Sequence, residues 1–465
     1  MPQSPTMVIM AAGHGTRMRS SLPKVLHRVC GRTMIDWVVG AARSAGAGRV
    51  VCVARPGSGL DRALPAGVEL AEQRAGEGTG AAVLAARDQI EADSRAGGGA
   101  VVILSGDHPL ITGELIEGLL AAHARADAAA TLLTTDRIDP TGYGRVLRAP
   151  DGTVERLIET KNPDHVPGQA LAIREVNLGS YAFRAPDLLS ALDSVREIDG
   201  ERYLTGVFPI LRERGETIAT YRTDDTRSAL GVNTRADLME VEVQARRTIL
   251  VGHALAGVTF PAPETVYVDA EVEIGEDTRI GPGVTLTGAT RIGRQCTIGP
   301  QTTIHAGRIG DRVSAPQSHL VECEVADGGS IGPFAYLRPG ARIGEDAKVG
   351  SFVEIKNSTV GRGAKVPHLS YIGDADVGEG SNLGAGNITA NYDGRAKHRT
   401  HIGRNVRTGV DTAFVAPVSV GDDAYTGAGS VIVEDVPAGA LGIARSRQRN
   451  VEGYAERTRQ EQQSE

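Results

Sequence analysis

Hydrophobic positions follow three different periods in turn along this chain, and each period predicts a different kind of element. Up to about Asn233, short β-branched runs alternate with alanine-rich amphipathic stretches. The runs are "MVIMAA" (Met7–Ala12), "RVVCVA" (Arg49–Ala54), "AVVILSGD" (Ala100–Asp107) and "AATLLTT" (Ala129–Thr135). Between them stand "MIDWVVGAARSAG" (Met34–Gly46) and "GELIEGLLAAHARA" (Gly113–Ala126). Such alternation predicts a mostly parallel sheet covered by helices, with ligands at the carboxyl ends of its strands.

From Thr234 the spacing becomes helical. Thr234 and Asp237 form a capping box, and Leu238, Val241, Ala245 and Ile249 share one face, which predicts a connecting helix. After Val266 the period becomes six. Ile274, Ile280, Leu286, Ile292, Ile298 and Ile304 open a ladder that resumes at Ile331, Leu337, Ile343, Val349 and Ile355. A third run holds Ile402, Thr408, Phe414, Val420, Thr426 and Ile432. An aliphatic residue every sixth position, mostly followed by a small one, predicts a parallel β-helix whose flat strands turn a corner at the small residue. An ordinary sandwich would place turn signals every 8–12 residues instead. The stretch "SNLGAGNITANYDG" (Ser381–Gly394) breaks the ladder, and its Asn382, Asn391 and Tyr392 are expected outside the prism or on a loop that leaves it.

Length and composition sharpen this picture. A chain of 465 residues exceeds one ordinary core, so two domains are expected, 1–233 and 258–465, with 234–257 as the linker helix. The net charge is −7 with no long block of one sign, which argues against a nucleic-acid partner. The first residues lack a basic start, and their apolar stretch ends at Gly13, too short for a leader or a membrane span. A soluble, cytoplasmic protein without a membrane partner is expected. Cys30, Cys52, Cys296 and Cys323 lie far apart without a CxxC spacing and read as small apolar fillers.

Three stretches can carry chemistry. In "MAAGHGTRMRSSLPKVL" (Met10–Leu26), Gly13 and Gly15 let backbone N–H groups approach phosphate oxygens while Arg17 and Lys24 supply charge. It is neither a Walker loop nor a dinucleotide fingerprint. Six of the 50 basic residues are lysines, which draws attention to each place where a compact ammonium is kept. Asp107, at the end of "ILSGD", either holds Mg²⁺ or caps a turn before Pro109; position alone leaves both open. "PTGYGRV", "LIETKNP", "EVNLGS" and "GVNTR" add groups able to read sugar and base edges, though each alone is more often a turn. In the ladder, His368 lies near Glu354, Lys356 and Tyr371, and a His oriented by a carboxylate can take a proton from an attacking amine.

With these motifs in view, the chain from about Met7 to about Arg449 resembles the bacterial bifunctional N-acetylglucosamine-1-phosphate uridyltransferase and glucosamine-1-phosphate N-acetyltransferase family. "AAGHGTRMRSSLPKVLH", "PTGYGR", "IGPFAYLRPG", "HLSYIGDADVG" and "ITANYDG" carry the resemblance. It implies an α/β, Rossmann-like nucleotidyltransferase domain followed by an all-β left-handed parallel β-helix of hexapeptide repeats. In the first domain it implies uridylyl transfer from UTP. Ala11, Ala12, Gly13, Lys24, Gln73, Gly78, Thr79, Ser105 and Gly106 would bind the nucleotide, Gly144, Glu159 and Asn177 the sugar, and Asp107 and Asn233 Mg²⁺. Arg17 and Lys24 would counter charge on the reacting phosphates.

In the second domain it implies acetyl transfer from acetyl-CoA to glucosamine 1-phosphate. His368 would be the base with Glu354 orienting it, Arg338 and Lys356 would hold the sugar phosphate, and Tyr371 and Asn382 the sugar. Ala385, Asn391, Tyr392, Val410, Ala428 and Arg445 match acetyl-CoA contacts, and Lys397 lies where CoA phosphates would pass. A homotrimer is implied, with the broken stretch projecting toward a neighbouring copy. The alternative is a sugar-1-phosphate nucleotidyltransferase whose β-helix only assembles or regulates. The family's "GTGHA" reads "GTGAA" here at Gly78–Ala82, Ser105 replaces a frequent tyrosine, and Val410 stands where a serine is usual.

Overall fold

The computed structural model describes residues 4–158 and 172–464, and the chain divides into two compact units, Met1–Thr248 and Ile249–Glu465. In the first unit, seven strands lie in the order Ile218–Arg222, Ala130–Thr135, Val176–Phe183, Val101–Ser105, Thr6–Met10, Arg49–Ala54 and Glu69–Glu72. All neighbours are parallel except Val176–Phe183, which runs against both of its partners. That reversed strand takes in all of the "EVNLGS" stretch after Glu175, a stretch whose composition alone is more often a turn. Its register shifts between Asn177 and Tyr181, with Gly179 at φ 72°, so an irregular strand carries a turn-like sequence.

Alternation along the strands explains why both faces are covered. In Thr6–Met10, Met7 and Ile9 pack into one core and Val8 into the other; in Val101–Ser105, Val102 and Leu104 oppose Val101 and Ile103. Each such side chain, fully buried, stabilises the fold by roughly 1.5–3 kcal/mol. Helices close the faces where local caps start them. The Thr33 hydroxyl accepts from the Asp36 N–H at 3.2 Å ahead of Met34–Ser44, and Thr112 does the same for Leu115 ahead of Gly113–Arg125. The strand ends at Met10, Ala54 and Ser105 therefore share one edge, and the loops that leave them meet there.

The helix Arg235–Leu255 begins at the expected capping box: the Asp237 N–H donates to Thr234 Oγ1 at 3.2 Å and the Thr234 N–H to Asp237 Oδ2 at 2.8 Å. Val241 and Ala245 are buried on its expected face.

The second unit is a parallel β-helix with three principal sheets of ten, nine and six strands. Thr285 pairs with Thr303 and Thr303 with His319, one coil above the next. Every predicted ladder position from Ile274 to Ile432 is buried. The small residues at the corners have a steric cause: a Cβ on Gly293 would stand 2.6 Å from the carbonyl carbon of Gly310 in the following coil. These features match the left-handed β-helix that the resemblance implies.

The ladder breaks in two ways. One coil is lengthened: Asp376 pairs with His401, a longer interval than the Thr359-to-Asp376 step before it, and the extra chain lies between the strands Ile388–Ala390 and Thr400–Ile402. The interior beside it is polar. Asn387 is fully buried; its amide donates to the Gly384 and Gly409 carbonyls at 2.9 and 3.0 Å and its oxygen accepts from the Thr408 hydroxyl at 2.5 Å. Asn382 and Tyr392 are exposed as expected, while Asn387, not singled out in the sequence, takes an interior place because a complete set of hydrogen bonds satisfies it.

Candidate active sites

In the first unit, the strand ending at Met10 runs into Ala11, Ala12 and Gly13. Gly15 follows at φ 61°, and a Cβ there would stand 3.0 Å from the Cβ of Lys24. A glycine both adopts that conformation and leaves Lys24 room against the loop. The Lys24 ammonium pairs with Asp107 Oδ2 and lies 3.4 Å from Asn233 Oδ1, which also accepts from Arg17 Nη2 at 2.9 Å. Three separate stretches thus bring Arg17, Lys24, Asp107 and Asn233 to a cavity of about 390 Å³. Ala11, Ala12, Gly13, Gln73, Gly78, Thr79 and Ser105 also line it. Gly106 stands behind the wall, its N–H donating to the Met10 carbonyl at 2.9 Å.

Burial works against ionisation of Asp107, but the facing charges of His108 and Lys24 and hydrogen bonds from Lys24 and Ser105 outweigh it, so its carboxyl stays below the usual value. Burial first, then the Lys24 charge, keep the neighbouring His108 below the ordinary imidazole value. Lys24 is therefore the cation that counts. The Asp107 carboxylate faces this lysine, and among the described residues no backbone N–H of the Pro109 turn donates to it.

A divalent cation fits here on the chemistry of the donors. Asp107 Oδ1 is buried without a hydrogen-bond partner, and the amide oxygen of Asn233 is a second hard donor. Two hard oxygen donors are a set of the kind a hydrated divalent ion takes, since such an ion keeps waters and accepts substrate oxygens for the rest of its shell.

Gly144 and Asn177 meet each other through the Asn177 N–H and the Gly144 carbonyl at 2.9 Å, and the Asn177 amide donates to the Tyr181 hydroxyl at 2.6 Å. Neither lines the cavity just described. Glu159 lies outside the described residues. Arg55 and Glu77, which the sequence reading passed over, do line the cavity. Arg55 Nε donates to the Ala12 carbonyl at 2.7 Å and Nη2 to Glu77 Oε2 at 2.5 Å, clasping one loop to another. Only the end of the strand Arg49–Ala54 hinted at Arg55.

In the second unit, successive coils set Tyr336, Glu354, Tyr371 and Ile388 in one outward column, with Lys356 in register with Gly373 beside it. A Cβ on Gly373 would collide with the Tyr371 ring, so the phenol lies across the glycine. Glu354 Oε1 accepts from Arg338 Nη1 at 2.7 Å. Among the described residues no hydrogen bond joins Glu354 to His368, because the column places it beside the arginine.

His368 ends the strand Lys365–His368 and is exposed, not turned into the apolar interior. Its carbonyl accepts from the Ser370 hydroxyl at 2.7 Å and from the Gly386 N–H at 3.3 Å, and the Leu383 N–H donates to Lys365. The segment Asn382–Gly386, with exposed Asn382 and with Ala385, therefore runs beside the histidine. Ala385, Val410 and Ala428 follow glycines stacked so closely that a Cβ on Gly409 would stand 2.4 Å from the Ala428 nitrogen. Val410 is exposed, as are Tyr392 and Arg445.

Asn391 stands where the lengthened coil leaves the prism, after the strand Ile388–Ala390. It is buried, and its amide donates to Asp374 Oδ2. Asp374 also accepts from Asn357 Nδ2 at 2.6 Å and lies 3.5 Å from the Lys356 ammonium. Contact with Lys397 and the charge of Asp374 raise the Lys356 ammonium above the usual lysine value; contact with Lys356 and its charge lower Lys397. Lys397, expected near CoA phosphates, thus stands against Lys356. Asp374 gave no signal in the sequence, where an aspartate after Ile-Gly reads as a corner residue.

Residues 7–175 match the family model described as the MobA-like NTP transferase domain, and residues 271–306 match the bacterial transferase hexapeptide (six repeats) model. The chain is 45% identical over 467 residues to the bifunctional protein GlmU of Mycobacterium bovis (strain BCG / Pasteur 1173P2), covering 98% of this chain and 93% of that one. The same name, identity and coverage apply to a relative from Mycobacterium tuberculosis (strain ATCC 25177 / H37Ra). A third bifunctional protein GlmU, from Mycolicibacterium smegmatis (strain ATCC 700084 / mc(2)155), is 45% identical over 462 residues, covering 97% of this chain and 95% of that one.

Proposed function

Because the chain belongs to the bifunctional GlmU family, we infer that it joins two transferase activities of UDP-N-acetylglucosamine synthesis in one polypeptide. The second unit, a left-handed β-helix, transfers acetyl from acetyl-CoA to glucosamine 1-phosphate. The first unit then transfers uridylyl from UTP to N-acetylglucosamine 1-phosphate and releases pyrophosphate.

In uridylyl transfer a phosphate oxygen of the sugar phosphate bonds to the α-phosphorus of UTP as the α–β bridging bond breaks. Arg17 and Lys24 face that charge from the loop after Met10, and the backbone around Gly13 leaves room for it. Asp107 and Asn233 would hold Mg²⁺, which, when bound, neutralises charge on the phosphates. Lys24 already offsets the Asp107 charge in the free protein, so the pocket is assembled before substrate arrives.

In acetyl transfer the sugar amine bonds to the thioester carbonyl carbon, the C–S bond breaks, and CoA leaves as the thiol. The amine must lose a proton, and His368 is placed to take it from the solvent-facing side of the coil. Arg338 and Lys356 supply the cations for the sugar phosphate. The cluster of an exposed imidazole, two cations and a buried amide beside one lengthened coil is the observation that carries this half of the proposal. A purely structural ladder needs none of them.

Three copies assemble side by side in this reading. Phe334, Phe352 and Leu369 support it: 51%, 61% and 64% exposed, they form an apolar ridge one residue from His368, with the two phenyl rings stacked 5.3 Å apart. The cytoplasm is the proposed location; among the described residues no helix is long and apolar enough to cross a membrane.

The test uses the full chain and two assays. His368→Ala is expected to lower acetyl transfer by roughly 10²–10⁴-fold and to spare uridylyl transfer. Asp107→Asn is expected to do the reverse. Loss of both activities in either variant contradicts separate sites, and an intact chain that makes UDP-N-acetylglucosamine but releases no CoA favours the scaffold alternative.

A further inference from the structure

The lengthened coil has to leave the prism and return to it, and both of its ends meet one residue. At the outgoing end the Asn391 amide donates to Asp374 Oδ2; at the returning end the Thr400 N–H donates to the Asp374 carbonyl at 3.2 Å. The Asp374 N–H donates in turn to the Lys356 carbonyl at 3.0 Å, while the carboxylate faces the Lys356 ammonium. Asp374 occupies a corner at φ 50° and is 8% exposed, and Asn357 fills its other oxygen. Between the two ends Asp393 braces the excursion within itself, accepting from the N–H groups of Arg395 and Ala396 and facing His398 at 2.7 Å, and Arg399 at the returning end ties it to Asp376.

We propose that Asp374 is the positioning residue of the acetyl-transfer site, fixing the Lys356 ammonium and the excursion Asn391–Arg399 in one arrangement. The proposal rests on the reading of Lys356 as a sugar-phosphate ligand. Lys356 stands in contact with Lys397, and the Asp374 carboxylate, 3.5 Å from the Lys356 ammonium, is its counter-charge. A substrate phosphate arriving between the amines meets a pair already held in place. Hydrogen bonds from Asn357 and Asn391 and the Lys356 charge overcome the burial of Asp374 and keep it ionised, as this role requires. Without that carboxylate Lys356 loses its counter-charge and the excursion its outgoing anchor, so the binding of both substrates suffers while the base on the next corner is untouched.

The test is Asp374→Asn in the full chain, assayed for both activities with each substrate titrated. The KM for glucosamine 1-phosphate is expected to rise about tenfold, with kcat for acetyl transfer changed less than about threefold and uridylyl transfer unchanged. Asp374→Glu, which keeps the charge, is expected to recover part of the loss; a merely structural corner would not distinguish the two. Asn391→Asp sets a second carboxylate against the first and is expected to raise the same KM, so a misfolded Asp374→Asn still leaves a readout. A wild-type KM in Asp374→Asn, or in Asn391→Asp where the first variant does not fold, overturns the inference. An intact chain without acetyl transfer overturns instead the functional reading beneath it.

Discussion

Lys24 shows how far one side chain can commit a pocket. It is 14% exposed and its partner Asp107 18%, so the charge pair is largely out of water. Removing one member of such a pair costs roughly 3–5 kcal/mol because the other charge is left stranded. Lys24→Ala is therefore expected to lower both uridylyl transfer and the urea midpoint of the first unit, read by activity and by denaturation. Lys24→Arg is expected to restore stability only partly, since a planar fork does not match a compact ammonium beside Gly15. Lys24 stood out in the sequence because lysines are scarce, whereas the roles expected for Asp107 and His368 came from the family resemblance. Asp374 and the pairing of Glu354 with Arg338 were not legible there, because each depends on which residues successive coils bring side by side, and that register lies in coil lengths rather than in any local motif.

Among elements, the six-residue ladder could be read almost residue by residue, since one buried position per strand leaves a periodic mark. The reversed strand Val176–Phe183 escaped because its bulge interrupts the alternation from which strands are recognised. The polar interior escaped because Asn387 looks the same in a loop as in a core; only its three partners distinguish them. Asn387→Ala leaves the Gly384 carbonyl and the Thr408 O–H donor unpaired, while the Gly409 carbonyl keeps the Thr412 hydroxyl, and each orphaned group costs about 1–3 kcal/mol. The variant is expected to melt earlier in the second unit, measured by calorimetry. It should lose more than a Val415→Ala change on the 40% exposed outer face of a nearby strand.

At the scale of the whole molecule, pH acts through two windows. Burial, and the charge of Arg184, depress His123 below its usual 6.5, so the unfolded chain binds its proton first. The stability it contributes is present above pH 6.5 and is lost as pH falls from there toward the depressed value. His123→Gln is expected to flatten that part of a melting-temperature profile. Asp376, held down by Arg399, and Asp374 lie below the usual 3.8, so their contribution is complete above 3.8 and disappears at lower pH. A first softening below pH 6.5 and a steeper loss below 3.8 are the expected curve.

Because each rung of the prism touches only the rung above and the rung below, force applied along its axis has no single core to break. A chain pulled from its carboxyl end in an optical trap should peel in repeated increments of about 17 residues, or roughly 60 Å of extended backbone. The step containing Asn391–Arg399 should be visibly longer than its neighbours.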